Sequence, residues 1–116
     1  MLKDQIKSLP KSYKVIWQRE GIEKPFFPIT VIEGTEEVFD EEMFGPVWTL
    51  YRAKDEKDAI RLANMGQYGL GGEVFSKSHG EEVIDKIRCG MGFVNEFVKS
   101  DYSFPSGGVG KSGYGR

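Results

Sequence analysis

The first third of the chain predicts a short helix followed by two strands. Three apolar residues, Leu2, Ile6 and Leu9, recur at spacings of four and three, which places them on one side of a helix that a proline ends. Residues 15–17 form a strand-like apolar run, and residues 26–32 are rich in aromatic and β-branched side chains. The proline within the second run predicts a sheet edge or the start of a strand.

The central part of the chain predicts strand, helix, strand, helix and strand in that order. Residues 47–51 are typical of a buried strand, and Asp55 is a suitable N-cap for the helix that follows. A second strand is expected at residues 74–75, a second helix capped by Ser78, and a last strand at residues 91–94. Short connections of this kind favour parallel strands with right-handed crossovers. We therefore expect an α/β fold with an open βαβαβ sheet of mostly parallel strands.

Composition narrows the class of protein without naming a reaction. The chain has 116 residues, of which 39% are hydrophobic and 29% charged, so we expect one folded domain. It contains no apolar run near the ~20 residues that cross a bilayer and no signal peptide at its start, which predicts a cytoplasmic protein without a membrane partner. The net charge of −2 comes from interspersed signs, so no nucleic acid is expected as a partner. A single cysteine excludes an internal disulfide and fits a reducing compartment.

The glycine-rich tail matches two phosphate-binding patterns in part. Gly108, Gly110 and Gly113 satisfy the dinucleotide pattern G-x-G-x-x-G, and residues 110–112 look like the end of a Walker A loop. The first pattern needs a following helix to hold the phosphate, and the second needs glycine where Pro105 stands. We therefore prefer a glycine loop that allows close packing.

Three other features are candidates for chemistry. Cys89 is the only thiol nucleophile available, and the adjacent Arg88 would lower the pKa of a nearby thiol, but a small core residue is the more common role. His79 lies in the first turn of the second helix, where a structural role is expected. The five acidic residues between positions 36 and 42 offer acid/base pairs or a site for a hard cation, although a solvated acidic loop is the simpler interpretation.

Several motifs, taken in order, resemble those of the aldehyde dehydrogenase superfamily. Residues 41–47, Glu-Glu-Met-Phe-Gly-Pro-Val, are similar to its E-E-x-F-G-P-V motif. Four downstream motifs agree in order and spacing: A-I-x-L-A-N at 59–64, Y-G-L-x-x-x-V-F-S/T at 68–76, G-x-v-x-V-N at 90–95 and P-F-G-G-x-K-x-S-G-x-G-R at 105–116. Upstream, residues 26–31 look like the family's F-x-P-T-V strand. The resemblance covers nearly the whole chain, and the tail leans toward the succinate-semialdehyde branch. Ser106 departs from the family's usual Phe and Gly110 from its usual Lys.

The resemblance implies an architecture, a reaction and two cofactor-binding residues. Family members combine a Rossmann-like NAD(P) domain, an α/β catalytic domain with a cysteine nucleophile, and a small sheet that joins subunits. The second glutamate of E-E-x-F-G-P-V binds the nicotinamide ribose hydroxyls and its phenylalanine lies against the nicotinamide, which implies these roles for Glu42 and Phe44. The implied cofactor is NAD or NADP, and in family members most of its contacts come from the Rossmann-like domain.

Other family motifs do not occur in this sequence. The nucleophile's G-Q-x-C context, the general-base glutamate and the cofactor domain's glycine loop belong upstream of the F-x-P-T-V strand, and Cys89 falls on an ordinary structural position. We therefore expect residues 1–116 to be a partial, C-terminal catalytic domain without its Rossmann domain.

Three functions remain open from the sequence. The first is a fragment of an aldehyde dehydrogenase that is inactive alone. The second is a non-catalytic module that assembles with itself or docks on a full-length relative, so that a homo-oligomer or a complementing dehydrogenase chain is its partner. The third, least favoured, is an independent catalyst that uses Cys89.

Overall fold

The fold consists of three short helices and seven strands within the described residues, which are 2–35 and 40–114 of a computed structural model. In chain order they are α1 (Leu2–Ser8), β1 (Lys14–Gln18), β2 (Thr30–Gly34), β3 (Val47–Tyr51), α2 (Glu56–Ala63), β4 (Tyr68–Gly69), β5 (Gly71–Val74), α3 (Gly80–Ile84), β6 (Met91–Val94) and β7 (Val109–Gly110). The chain divides into a first unit that ends at Lys54 and a second unit that begins at Asp55.

The first unit is built on a three-stranded sheet with the order β1-β2-β3. β2 and β3 are parallel, whereas β1 and β2 are antiparallel. Thr30 and Ile32 of β2 are fully buried on one face of this sheet. The core is completed by Tyr13 and Tyr51, whose hydroxyl oxygens lie 2.8 Å apart and whose rings meet edge to face. These contacts explain the glycine at position 34, where a Cβ would lie 2.5 Å from the Tyr51 ring.

The opposite face of the same sheet is largely uncovered. A β-bulge between Val15 and Trp17 shifts the register, so that Trp17 pairs with Val31, which in turn pairs with Trp48. Trp17 and Trp48 are 51% and 63% exposed. The strand predicted at residues 47–51 is therefore confirmed in its bounds, but the prediction that it is buried is wrong. Alternate side chains of a strand point to opposite faces, and Trp48, Thr49 and Leu50 are all exposed, so neither face of the middle of β3 is covered by the described residues.

The second unit begins with the predicted helix cap. Asp55 accepts a hydrogen bond from the backbone N–H of Asp58 at 2.8 Å, which satisfies one of the free donors at the start of α2. α2 ends at Ala63 with Asn64 as its C-cap. The prediction that Ser78 caps the next helix is wrong, because His79 occupies the N-cap position of α3 and makes no side-chain cap bond.

The remaining strands of the second unit form two small ladders. β5 and β6 are parallel, and α3 packs against both. Gly80 is buried at the start of α3, where a Cβ would lie 2.5 Å from Val94. β7, from the glycine-rich tail, pairs antiparallel with β4.

These observations confirm an α/β fold and correct its sheet arrangement. The predicted parallel pairing holds for β5–β6, whereas β3 pairs with β2, a strand outside the predicted βαβαβ run, also in parallel. β1–β2 and β4–β7 are antiparallel, so the sheet of the first unit is mixed. The strands of the described residues belong to three sheets instead of one, because β3 bonds to β2 and β5 bonds to β6. None of the helices in this part of the chain is long and apolar enough to span a bilayer.

Candidate functional site

The segment of residues 40–46 leads into β3 and contains both predicted cofactor-binding residues. Its end is fixed by the backbone, because the N–H of Thr30 donates to the carbonyl of Pro46 at 2.9 Å and the N–H of Val47 donates to that of Gly45 at 2.8 Å. Gly45 also lies against α1, since a Cβ on this residue would collide with the Leu2 side chain. The loop is thus anchored at its strand end.

The side chains of Glu42 and Phe44 extend from this anchored loop into solvent. Phe44 is 73% exposed, and Glu42 is also exposed. The Glu42 carboxylate makes no hydrogen bond or ion pair with any residue that the structure describes, whereas its backbone carbonyl accepts a hydrogen bond from Gln5 Nε2 at 3.2 Å. The backbone is held in place while the carboxylate remains available to a ligand.

This arrangement fits one part of a nicotinamide cofactor. A carboxylate accepts hydrogen bonds from neighbouring ribose hydroxyls, and an exposed aromatic ring offers a face to a planar ring. Sequence reasoning missed Gln5, which supports the loop from α1. The only signal for Gln5 was that it is a polar residue within the predicted first helix. Such a residue does not indicate a partner 37 positions away.

The acidic run around Glu42 shows no metal site in its described part. Glu36 and Glu37 lie outside the described residues. Across residues 2–35 and 40–114, no group of three or more His, Cys, Asp or Glu side chains has the geometry to hold a metal ion.

The glycine-rich tail is closely packed against the rest of the second unit. The N–H of Lys111 donates to the carbonyl of Gln67 at 2.9 Å, and Ser112 Oγ accepts from the N–H of Gly69 at 2.9 Å. A Cβ at Gly90 would collide with the carbonyl oxygen of Gly107. A phosphate loop would direct its N–H groups toward a ligand, but the Lys111 N–H is used internally, which supports the packing interpretation.

Comparison with known proteins identifies the family of this chain. The profile of the aldehyde dehydrogenase family matches residues 16–116. This chain belongs to the aldehyde dehydrogenase family. The match includes the loop that carries Glu42 and Phe44 and the glycine-rich tail.

Similar proteins include several succinate-semialdehyde dehydrogenases. The NADP⁺ enzyme of Deinococcus radiodurans is 44% identical over 80 residues, which cover 67% of this chain and 17% of that protein. The NAD(P)⁺ enzyme of Escherichia coli K12 is 38% identical over 96 residues, which cover 78% of this chain and 21% of that protein.

Solved structures of the family show the same fold. The succinic semialdehyde dehydrogenase of Streptococcus pyogenes, crystallised with NADP⁺, has a TM-score of 0.85 and 38% identity and matches 99% of this chain. Betaine aldehyde dehydrogenase of Staphylococcus aureus, crystallised with NAD⁺, has a TM-score of 0.79 and 32% identity over 98% of this chain. The matches cover 27% and 24% of those two chains, so this chain spans about a quarter of their length.

Within this member of the aldehyde dehydrogenase family, Cys89 has the environment of a structural residue. Partial burial raises the pKa of its thiol, whereas an activated nucleophile needs a lowered pKa. Its sulfur lies against the backbone of β5, where a Cβ on Gly72 would be 3.0 Å away. The hypothesis that Arg88 activates this thiol is wrong, because the guanidinium donates to the Gly66 carbonyl at 2.5 Å instead.

His79 links the starts of two helices in the same unit. Its Nδ1 lies 2.8 Å from Ser78 Oγ, and its Nε2 contacts the Glu56 carboxylate at the start of α2. The side chain is about half exposed, and these contacts agree with the structural role expected from its position.

Proposed function

We propose that this chain is the part of an NAD(P)-dependent aldehyde dehydrogenase, of the succinate-semialdehyde branch, that contacts the nicotinamide end of the cofactor. In this proposal it is the C-terminal part of the catalytic domain. The observation that carries the proposal is the family motif of residues 41–47, whose Glu42 and Phe44 side chains are exposed on an anchored loop.

Three residues of the chain have separate parts in this role. Glu42 accepts hydrogen bonds from the ribose hydroxyls, Phe44 covers a face of the nicotinamide ring, and Gln5 holds the Glu42 carbonyl and so positions the loop. The bound cofactor supplies the acceptor for the hydride that leaves the aldehyde as the acid is formed.

We propose that catalysis requires sequence beyond these residues. The family motifs for the nucleophilic cysteine and the general-base glutamate do not occur here, and without a positioned nucleophile no covalent intermediate forms. The chain alone is therefore inactive, and its partner is a complementing dehydrogenase chain or further copies of itself in the cytoplasm. In the assembled domain, we expect the strands to join a larger, mostly parallel open sheet.

A calorimetric titration with NAD⁺ and NADP⁺ tests the cofactor contact. We expect weak, saturable binding by the unaltered chain, because only two of the cofactor's contacts are present. Glu42→Gln keeps the size of the side chain and removes its charge, and it should weaken binding about tenfold, the effect of ~1.4 kcal/mol.

The matched control is Glu41→Gln, which makes the same chemical change one residue away and should bind as the unaltered chain does. Equal affinity of the Glu42→Gln variant would contradict the proposal. An absence of heat up to millimolar ligand would overturn cofactor binding by this chain and leave assembly as its function.

A second candidate, a docking or self-associating module, is favoured by the uncovered face of the first unit's sheet. Trp17, Val31 and Trp48 form an apolar row across the three strands, and Leu50 extends it. β2 and β3 are parallel, and parallel strands are normally covered on both faces. A second layer from another chain would supply the missing cover.

Sedimentation velocity tests this candidate. We expect the unaltered chain to associate and Trp48→Lys to shift it toward monomer. Tyr114→Lys, at a fully exposed aromatic residue of the second unit, is the control and should not change the distribution. A monomer that binds no apolar dye would exclude the docking function.

A further inference from the structure

The first unit contains a pocket between α1 and the segment of residues 19–29, which connects β1 to β2. Its volume is about 460 Å³, and its lining lies within residues 3–28, so it contains neither Glu42 nor Phe44. A pocket of this size with a mostly apolar lining is typical of a small-molecule site. The apolar side chains that line it are Ile6, Ile22, Phe26, Phe27 and Pro28.

The connecting segment is held to the sheet at both of its ends. The N–H of Arg19 donates to the carbonyl of Ile29 at 2.9 Å. Gln18, which also lines the pocket, donates from Nε2 to the Oγ1 of Thr30 at 2.8 Å. Because Thr30 is fully buried, this end of the pocket is fixed to the core of the first unit.

Three exposed lysines, Lys3, Lys7 and Lys24, line the same pocket. Their ammonium groups make no hydrogen bond or ion pair with any residue in the ranges 2–35 and 40–114. One carboxylate, that of Asp4, interacts electrostatically with Lys7, so three positive groups stand against one negative group.

The surrounding sequence adds to this positive excess. Residues 1–24 contain six Lys or Arg and three Asp or Glu, a net charge of +3, whereas the whole chain has a net charge of −2. The positive charge is therefore concentrated in the segment that forms the pocket, and an anionic group is attracted to it.

The two parts of the lining favour different parts of one ligand. Apolar side chains gain free energy by covering hydrocarbon, at about 0.8 kcal/mol for each buried methylene group. Lysine stems can lie along such a surface while their ammonium groups remain in water at its rim. A bare anion would make no use of the apolar wall, and an organic cation would be repelled by the lysines. A ligand that fits both parts has an apolar body and an anionic head.

From the apolar wall, the lysine rim and the volume, we propose that this pocket binds a small amphiphilic carboxylate of the medium-chain fatty acid class. The alkyl chain lies against Ile6, Ile22 and Phe27, and the carboxylate lies at the lysines. Ile6 and two of the lysines belong to α1, which precedes the residues that the family profile matches. The proposal does not depend on cofactor binding, and either can fail without the other.

Octanoate and octan-1-ol provide a matched pair of probes that differ in charge. In ¹H–¹⁵N correlation spectra, octanoate should shift the amides of Ile6, Gln18, Ile22 and Phe27 in a saturable way. Octan-1-ol should bind about tenfold more weakly, because it lacks the charge that the lysines attract. Acetate, which has the head without the chain, should shift none of these amides at the same ionic strength. Equal binding of octan-1-ol, or competition by acetate, would overturn the proposal.

Two variants locate the site. Lys7→Gln removes one ammonium group and keeps a long polar side chain, so it should weaken octanoate binding several-fold. Lys11→Gln makes the same change outside the pocket lining and should bind as the unaltered chain does. Ile22→Trp, at a side chain that is 37% exposed, should fill the pocket and abolish binding while the spectrum stays dispersed. Unchanged affinity in both Lys7→Gln and Ile22→Trp would contradict the assignment.

Phosphatidylglycerol vesicles test whether the same lysines bind a lipid surface instead. The proposed ligand is a single molecule that inserts its chain into the pocket, so we expect the chain to stay in the supernatant when the vesicles are sedimented. Sedimentation with the vesicles, together with no shift by octanoate, would overturn the pocket in favour of a membrane surface.

Discussion

The loop of residues 40–46 and the glycine-rich loop of residues 105–114 use their residues in opposite ways. In the first loop the backbone is anchored and the side chains of Glu42 and Phe44 are exposed. In the second, the backbone itself is the packing surface: Gly108 is buried, and a Cβ there would lie 2.6 Å from the Ser112 side chain. The first loop exposes side chains that can bind a ligand, whereas the second packs its backbone closely within the second unit.

The two loops carry motifs that both suggest a cofactor, but only the first leaves side chains available to bind one. The glycine loop matches a phosphate pattern in letters, but Lys111 and Ser112 bond to neighbouring backbone, so its glycines serve close approach. The motif of residues 41–47 leaves an ionisable group and an aromatic ring without internal partners among the described residues. Substitutions in the glycine loop should therefore change stability, and those in the first loop should change ligand binding.

The largest expected effect is that of Gly90→Ala. A Cβ at this position meets the backbone of Gly107 and Gly108, which cannot move aside as a side chain would, so we expect the free energy of unfolding to fall by ~3 kcal/mol. Gly71→Ala is the control, because its Cβ would meet only the side chain of Val98. Urea unfolding measures both. Equal losses in the two variants would refute the backbone argument.

Ser112→Ala should have the next largest effect. The change removes the acceptor for the part-buried N–H of Gly69, and leaving such a donor unpaired costs ~1–3 kcal/mol. Ser112→Thr retains the hydroxyl and should recover part of the loss in the same unfolding measurement. If alanine is as stable as serine, the hydroxyl does not anchor the loop.

Phe44→Ala should lower the affinity for NAD⁺ or NADP⁺ while leaving the free energy of unfolding nearly unchanged. The ring is mostly exposed, so the free energy of unfolding should change by less than ~0.5 kcal/mol. Affinity for NAD⁺ or NADP⁺ should fall several-fold, because the loss of an aromatic contact costs ~0.5–1.5 kcal/mol. Calorimetry and urea unfolding on one preparation test this, with Phe97→Ala, at an equally exposed ring of the second unit, as the control. A large loss of stability would show that Phe44 is a packing residue.

The smallest effect concerns the reactivity of Cys89. Burial raises the pKa of its thiol, so the fraction of thiolate at pH 8 is lower than for a free cysteine, and alkylation should be several-fold slower than in the urea-unfolded chain. The rate should increase as pH rises toward the raised pKa. Alkylation that is as fast in the folded chain as in the unfolded chain would contradict a partly buried thiol. Cys89→Ser should leave cofactor affinity unchanged.

Local signals predicted several features with good accuracy. The prediction of Asp55 as the cap of α2 is confirmed, because a helix cap depends only on its own side chain and on the few residues that follow it. The bounds of β3 and β6 follow from short apolar runs between turn residues. The motif at residues 41–47 led to Glu42 and Phe44, whose cofactor roles remain predictions.

Features that depend on distant partners were missed or mistaken. β3 was expected to be buried, but Trp48 lies on the face of the sheet that has no cover among the described residues. Ser78 was expected to cap α3, but its hydroxyl bonds instead to His79, whose ring also contacts Glu56 at a distance of 23 positions in the sequence. The support that Gln5 gives to Glu42 joins residues far apart in the chain, and no local pattern indicates it.

The family, the order of the elements and the residue types available for chemistry could be predicted from local composition and motifs. How the strands pair, which side chains of the sheet are buried, and whether a glycine loop binds or packs became clear only from the folded chain. The physical reason is that pairing and burial are set by contacts between segments distant in sequence. The bulge that aligns Trp17 with Trp48 is one example: it depends on the register of three strands together.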